Sequence, residues 1–305
     1  MIKKYSIKEE FINSRLDRWF RRNVGDAPQS LIEKNLRRGN IKVNNKKAQS
    51  SYKLTLNDSV TIKNLNLTPD KNKEIKQKYN PTKKELSSST SMFIENNDNF
   101  VVINKPPGIA VQSGTKSRRN ILDILRETEE FNNFIPFTVH RIDKDTTGIL
   151  IVAKTREYAQ LFTSLFRIRK IHKTYIGIVL GELNKNKGTF IDDLVYYEDN
   201  KKTTLKAITH FTVIDSANNY SLLKLNPETG RKHQLRKQML LHGHPILGDS
   251  KYRFTNNTYS KSSRLMLHAY SINFSINKNK YKFTAKIPDD FEKVIKEKYL
   301  RSSLL

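Results

Sequence analysis

The sequence contains no cysteine and few of the features that mark a secreted or membrane-embedded protein. Without cysteine there is no disulfide, no thiolate nucleophile and no cysteine-ligated zinc site. The first six residues lack the apolar segment of a secretory signal, and no long uncharged apolar run follows them. We therefore expect a cytoplasmic protein with no membrane span.

Acidic residues are also scarce relative to basic ones. Among 305 residues there are 56 Lys and Arg but only 30 Asp and Glu, which gives a formal net charge of +26. Such a field attracts polyanions, and cations that neutralise phosphates release counterions on binding. Three explanations are compatible with the high lysine content: compositional drift, attraction to an anionic membrane surface, and binding of nucleic acid. Drift does not explain why acids fail to balance them, so nucleic acid is the predicted partner.

The N-terminal part of the chain predicts a small compact domain at residues 13–63. Ser14 is a candidate N-cap for a first helix, and apolar spacing predicts a second helix at 30–36. Two short alternating segments, 41–43 and 60–62, are typical of strands. The order helix, helix, basic turn, strand resembles the S-four-like RNA-binding domain of ribosomal proteins and RNA-modifying enzymes.

Positive charge is concentrated in this same part of the chain. Through residue 63 there are 15 Lys and Arg against 6 Asp and Glu, a net charge of +9. Cations on such a domain contact the RNA backbone, which supplies affinity and position more than base identity. The residues predicted to make these contacts are Arg15, Arg18, Arg37, Arg38, Lys42 and Lys46.

Residues 64–90 predict a flexible linker that is rich in lysine and serine and has no sustained apolar period. A second domain follows at 91–305, in which predicted strands and helices interleave irregularly. This pattern is typical of an α+β fold with a large mixed, mostly antiparallel sheet. After a hairpin at 93–108, strands are predicted at 148–154, 172–180, 204–214, 221–225 and 272–276, and helices at 121–130, 157–169, 230–242 and 291–299.

A polar loop at residues 140–150 is the most informative segment of this domain. Its sequence, H-R-I-D-K-D-T-T-G-I-L, carries two carboxylates, Asp143 and Asp145, and runs directly into an apolar strand. A loop at a strand entrance can hold one acid in a fixed position on a rigid scaffold. Judged by composition alone, an ordinary solvated turn is the simpler interpretation, because Asp, Lys, Thr and Gly are turn formers.

This loop resembles the H-R-L-D-x-x-T-S-G-L-L motif of RluA-type pseudouridine synthases. Further segments resemble the family's other motifs in the same order, including N-K-P-x-G and T-G-R-x-H-Q-[IL]-R. They lie at residues 102–108, 173–181, 229–236, 242–249 and 264–269. The resemblance covers about residues 93 to 290 and is closest to the RluC branch, whose members modify large-subunit ribosomal RNA.

The resemblance implies an enzyme that isomerises uridine to pseudouridine in RNA, with no cofactor and no metal. The glycosidic bond breaks, the base rotates and it rejoins the sugar through a ring carbon. Asp143 matches the family's catalytic residue, which leaves Asp145 to shape the loop. An ionised carboxylate either attacks covalently or removes a sugar proton, and both routes stay open here.

Two further residues complete the site that the resemblance implies. Arg231 is the predicted cationic partner of Asp143, because a nearby guanidinium lowers the pKa of a carboxylate and orients it. Tyr175 is predicted to lie against the target base. Their simpler alternatives are a surface arginine near a helix start and a core tyrosine.

Several other polar residues have less certain roles in the resemblance. Arg141 is predicted to hold an RNA phosphate or to fill the space left by an extruded base. Lys105 and Arg236 are predicted to contact phosphate or the loop, and His140 is either a general base or a loop-packing residue. The residues interpreted as scaffold are His233, Gln234 and His268. The scattered histidines do not form a metal-binding set.

The predicted function is therefore a monomeric RNA pseudouridine synthase that acts on ribosomal RNA. A non-catalytic RNA-binding or ribosome-assembly factor on the same scaffold is the main alternative, and a DNA-binding protein is another. The presence together of Asp143, Tyr175 and Arg231 argues against the first alternative, because a binding module has no use for that set.

Overall fold

The computed structural model describes residues 2–25, 27–63, 79–113, 119–132, 134–198, 201–255 and 264–302. The chain divides into two compact units, Met1–Gln77 and Lys78–Leu305. Within the described residues, no helix is long and apolar enough to cross a membrane.

The first unit is a three-stranded antiparallel sheet with two helices. Its elements are β1 (Ile2–Ser6), α1 (Leu16–Asn23), α2 (Gln29–Arg38), β2 (Ile41–Val43) and β3 (Ser59–Lys63), with strand order β1-β3-β2. Both helices and the last two strands were predicted. Strand β1 was not, so the sheet begins earlier in the chain than residue 13. The S-four-like assignment of this unit stays a prediction.

The helices of this unit form where apolar residues recur at helical spacing. Leu16, Trp19 and Phe20 of α1 are buried in one core cluster with Ile32 of α2. The residue at the N-cap position of α1 is Arg15 rather than the predicted Ser14, and it makes no side-chain cap. The helix start is therefore set by packing of the apolar face and not by a cap.

The predicted linker contains a helix. Its residues 64–78 lie outside the described residues, but α3 spans Lys83–Ser89, so this part of the linker prediction is wrong. Thr82 and Glu85 form a capping box that satisfies free N–H groups at the helix start. This Thr-x-x-Glu spacing is present in the sequence and indicates a helix start, but the high serine content of the segment favoured a linker instead.

The second unit is built on a ten-stranded sheet with order β4-β5-β7-β12-β8-β11-β10-β9, to which β13 adds at β12 and β6 at β7. Among these pairs only β7 with β12 is parallel, so the predicted α+β class with a mostly antiparallel sheet is confirmed. The strands are β4 (Phe93–Asn96), β5 (Phe100–Lys105), β6 (Phe137–Thr138), β7 (Thr147–Ala153), β8 (His172–Leu180), β9 (Lys187–Glu198), β10 (Lys201–Ala217), β11 (Tyr220–Pro227), β12 (Leu267–Ile276) and β13 (Asn279–Thr284). The helices are α4 (Ile121–Arg126), α5 (Arg156–Arg167), α6 (Gln234–Leu241) and α7 (Asp289–Glu297).

The parallel contact between β7 and β12 fixes where the 140–150 loop enters the sheet. Thr147 pairs with His268 and Gly148 with Ala269. Gly148 has φ +105°, and a Cβ at this position would lie 2.2 Å from the Ala269 carbonyl oxygen. A hydrogen bond of 2.8 Å between Thr147 Oγ1 and buried His268 Nδ1 closes the junction. The loop is thus anchored to the middle of the sheet by close backbone packing.

Candidate active site

A cavity of about 670 Å³ opens beside the 140–150 loop in the second unit. Most of its walls come from three segments that are distant in sequence, namely this loop, the end of α5 with the start of β8, and residues 227–236, and Leu267 of β12 completes the lining. Asp143, Tyr175, Arg141 and Arg231 all line it. The structure therefore brings the three predicted catalytic residues and one predicted RNA contact to the same cavity.

The cation beside Asp143 is Arg236. Its Nη1 donates to Asp143 Oδ2 at 3.2 Å. Arg231, the predicted partner, instead donates from Nε to the Lys206 carbonyl oxygen at 3.1 Å. The predicted Asp143–Arg231 ion pair is therefore wrong. Arg231 precedes α6 on the cavity wall, whereas Arg236 lies inside the first turns of the helix on its buried side.

A second carboxylate holds Arg236 in place. Asp249, whose side chain is fully buried, accepts from Arg236 Nε and Nη2 at 2.7 Å each. Burial acts to lower the pKa of Arg236, but the bonds to Asp249 and the charge of Asp143 raise it above its usual value. Arg236 thus stays a cation between two carboxylates.

His233 also reaches Asp143, a contact that was not anticipated from the sequence. Its backbone has φ +55° at the N-cap position of α6, an uncommon conformation for a residue other than glycine. Nε2 lies 3.7 Å from Asp143 Oδ1, and Nδ1 makes a 2.9 Å hydrogen bond with the Tyr252 hydroxyl. Burial lowers the pKa of His233, and the charge of Asp143 only partly opposes this. The ring is therefore neutral at neutral pH.

Tyr175 lies on β8 and packs against two core clusters. Burial, together with the charge of Asp143, raises its pKa above the usual value, so the hydroxyl stays protonated. That hydroxyl has no hydrogen-bond partner among the described residues, although buried tyrosines usually find one. The aromatic face of Tyr175 is thus available to a planar group in the cavity, and its hydroxyl is available to a polar group there.

Lys105 is a buried structural residue and not a contact for RNA. It is fully buried, and its Nζ donates to the carbonyl oxygens of Pro106, Ile109 and Lys144 at 2.7, 3.0 and 2.9 Å. The predicted RNA contact is therefore wrong, because all three donors are used inside the protein. The bond to the carbonyl of Lys144, directly after Asp143, holds the 140–150 loop against β5.

His140 packs the same loop from the other side. Its Nε2 accepts the Ile151 backbone N–H at 2.8 Å, and its ring stacks on Phe166 with centroids 4.6 Å apart. Desolvation lowers its pKa to about 3, which keeps it neutral at physiological pH. The loop-packing interpretation fits this arrangement, since the nitrogen that a general base would use is already occupied.

The side chains predicted to contact RNA differ in their exposure and in whether an acidic residue pairs with them. Arg141 is exposed on the cavity wall, and no ion pair involves it within the described ranges. In the first unit, Arg18, Arg37 and Arg38 are exposed, whereas Arg15 is paired with Asp17 at 2.7 Å and Lys42 is half-buried. The described residues contain no group of three or more His, Asp or Glu that could hold a metal ion.

Comparison with known proteins gives consistent matches. A family model described as RNA pseudouridylate synthase matches residues 99–241. Ribosomal large subunit pseudouridine synthase C of Buchnera aphidicola subsp. Baizongia pistaciae is 32% identical over 94% of this chain and 93% of its own. The protein of that name from Vibrio vulnificus is 31% identical over 97% and 96%. A solved structure, human RNA pseudouridylate synthase domain containing 4, is 25% identical with a TM-score of 0.62 and covers 71% of this chain and 96% of its own.

Proposed function

Because the chain belongs to the RNA pseudouridylate synthase family, we propose that it converts specific uridines of large-subunit ribosomal RNA to pseudouridine. The two bacterial relatives carry this substrate in their names and align over almost the whole chain. The net charge of +26 suits a polyanionic substrate. Because the substrate is ribosomal, we place the protein in the cytoplasm, and we expect it to act as a monomer.

The observation that carries the catalytic assignment is the Asp143–Arg236 pair in the wall of the cavity. Arg236 bonds only Oδ2 of the carboxylate, and Oδ1 makes no hydrogen bond with any described residue. An ionised carboxylate with one unoccupied oxygen suits either attack on the sugar or removal of a sugar proton. Either route returns every atom to the product, so no cofactor is needed.

Tyr175 and the cavity support recognition of a single extruded nucleotide. A uridine inside a helix must leave its stack before a carboxylate in the wall of a cavity can reach its sugar. A cavity of about 670 Å³ is large enough for one nucleotide. The ring of Tyr175 supplies a surface for the base, and its protonated hydroxyl supplies a donor.

The remaining cations of the cavity wall are assigned to the RNA backbone. Arg141 and Arg231 line the cavity without an acidic partner among the described contacts. They are joined there by Arg167, Arg169 and Lys173. We propose that these side chains hold phosphates around the target nucleotide, while the exposed arginines of the first unit bind the RNA farther along.

Mapping pseudouridine in ribosomal RNA tests the catalytic assignment. Cells that carry only Asp143→Asn should lack the pseudouridines that depend on this protein, because the amide can neither attack nor accept a proton. Cells that carry Asp145→Asn should keep these pseudouridines, since the Asp145 carboxylate shapes the loop and takes no part in the reaction. Retained modification in folded Asp143→Asn would refute the assignment. If modification is also unchanged when the gene is deleted, the alternative of a non-catalytic RNA-binding factor is favoured.

A further inference from the structure

We propose that Asp249 is a positioning residue that keeps the Asp143 carboxylate reactive by occupying one edge of Arg236. This inference rests on the proposed catalytic role of Asp143. Asp249 lies in the segment after α6, and the sequence motifs predicted no role for it.

The bonds of Arg236 are divided unequally between the two acids. Asp249 takes the edge formed by Nε and Nη2 through two bonds of 2.7 Å, the side-on bidentate geometry that guanidinium and carboxylate favour. Asp143 receives a single bond from Nη1, and that bond is longer, at 3.2 Å. A guanidinium without Asp249 would be free to offer a bidentate edge to Asp143 and engage both of its oxygens.

Asp249 is itself fixed firmly enough to hold the arginine. Its side chain is fully buried, and Oδ1 also accepts the backbone N–H groups of Lys251 and Tyr252 at 2.9 Å each. Burial acts to raise the pKa of Asp249, but the bonds from Arg236 and from these N–H groups outweigh it and lower the pKa. The carboxylate is thus ionised at neutral pH and is bonded to the backbone of its own turn.

The same turn also positions the second group that faces Asp143. Tyr252 lies over the Arg236 guanidinium, with 5.1 Å from the ring centroid to Cζ. Its hydroxyl bonds His233, whose other nitrogen is 3.7 Å from Asp143 Oδ1. The segment from Asp249 to Tyr252 therefore sets the position of both Arg236 and His233 without contacting Asp143 itself.

The arrangement leaves Asp143 with charge that is only partly neutralised. One guanidinium is shared by two carboxylates, and the adjacent imidazole is neutral, so the cluster has a net negative charge. A carboxylate held by one long bond gives up less interaction when it attacks or takes a proton than one held by two short bonds. The groups that surround Asp143 are Arg236, His233, Tyr175, Tyr252 and Lys105.

Asp249→Asn tests the inference in the full-length protein with an RNA substrate. We expect kcat to fall by about tenfold to a hundredfold, as small misplacements of catalytic groups cause, while KM changes by less than about twofold. The acid limb of the kcat–pH profile should move to lower pH. A neighbouring negative charge is lost and Arg236 can turn fully toward Asp143, and both changes favour the ionised form.

A matched control is available in the Arg264–Asp290 pair. It has the same side-on geometry, with Arg264 Nε and Nη2 donating to the two oxygens of Asp290, and neither residue lines the cavity. Asp290→Asn should leave kcat and the pH profile unchanged. A loss of folded protein in Asp249→Asn would alter the amount of active enzyme but would not move the acid limb.

Three results would overturn the inference or separate it from the catalytic assignment. Wild-type kcat and pH profile in folded Asp249→Asn would overturn it, even if Asp143→Asn is inactive. Activity in Asp143→Asn would instead refute the proposed function. If Asp249→Asn does not fold, Asp249→Glu keeps the charge but displaces the guanidinium. It should lower kcat with an unchanged circular dichroism spectrum, and wild-type kcat in that variant would overturn the inference.

Discussion

At the residue scale, the two arginines of one motif show what a sequence pattern can and cannot assign. Arg231 and Arg236 are five positions apart, and the family motif contains both. Helical spacing places Arg236 with Leu235 and Met239 on the buried side of α6, and this signal was available in the sequence. What could not be read was the acid that makes burial tolerable, because Asp249 comes from a separate segment.

The partners of Lys105 likewise could not be read from its local sequence. Its burial leads to a prediction about how stability depends on pH. Burial lowers its pKa to about 7 despite the charges of Asp145 and Asp143, whereas an unfolded lysine titrates near its ordinary value of 10.5. Between these values the unfolded state binds more protons, so this residue makes stability rise with pH over that window. The free energy of unfolding of wild type relative to Lys105→Met should therefore increase from pH 7 to 10.

Urea unfolding at several pH values measures this difference. Lys144→Met provides the control, because Lys144 is exposed beside the same loop. The control should show no such trend relative to wild type. A constant difference between wild type and Lys105→Met over this range would mean that the three carbonyl bonds keep Lys105 charged throughout.

At the scale of elements, strands with a regular apolar alternation were predicted closely. Strand β8 has the predicted bounds 172–180, and its alternation also places Lys173 and Tyr175 on one face. Strand β9 was missed, because Asp192 and Asp193 interrupt the apolar pattern. In the folded sheet one of these acids faces solvent and the other pairs with Gln238 and His242. Such partners come from tertiary structure and are not encoded in local periodicity.

The parallel junction of β7 and β12 gives a prediction about backbone packing. Gly148→Ala should destabilise the second unit by more than about 3 kcal/mol, because a Cβ would meet the Ala269 backbone and φ is +105°. Gly243→Ala is the matched control. It also has positive φ, but nothing lies within 4 Å of the position that a Cβ would take there, so the cost should be about 1 kcal/mol.

Chemical denaturation of both variants measures the two costs. Equal destabilisation would show that the backbone angle alone matters and that β7 and β12 do not pack as closely as the structure shows. Because Asp143 lies five residues before this junction, loss of activity should accompany the loss of stability in Gly148→Ala only.

At the scale of the whole molecule, composition predicted the class of partner but not how the charge is used. Of the basic residues singled out in the sequence, Lys105 is buried, Arg15 is exposed but paired with Asp17, and Arg18, Arg37 and Arg38 are exposed. Net charge is a sum over the chain and does not distinguish a cation that meets solvent from one that carbonyls or carboxylates already hold. Only the exposed cations remain available for phosphates.

Three exposed arginines of the first unit, Arg18, Arg37 and Arg38, should contribute to RNA affinity and not to chemistry. Replacing Arg18, Arg37 and Arg38 with Gln should make the plot of log Kd against log salt shallower by about 2 units, at about 0.7 per lost phosphate contact. The measured kcat at saturating RNA should stay at the wild-type value. Replacing Lys278, Lys280 and Lys282 with Gln removes the same charge from the exposed turn and strand at β13. An equal loss of slope in both triple variants would show that the first unit supplies only part of a general positive field and is not a distinct RNA-binding surface.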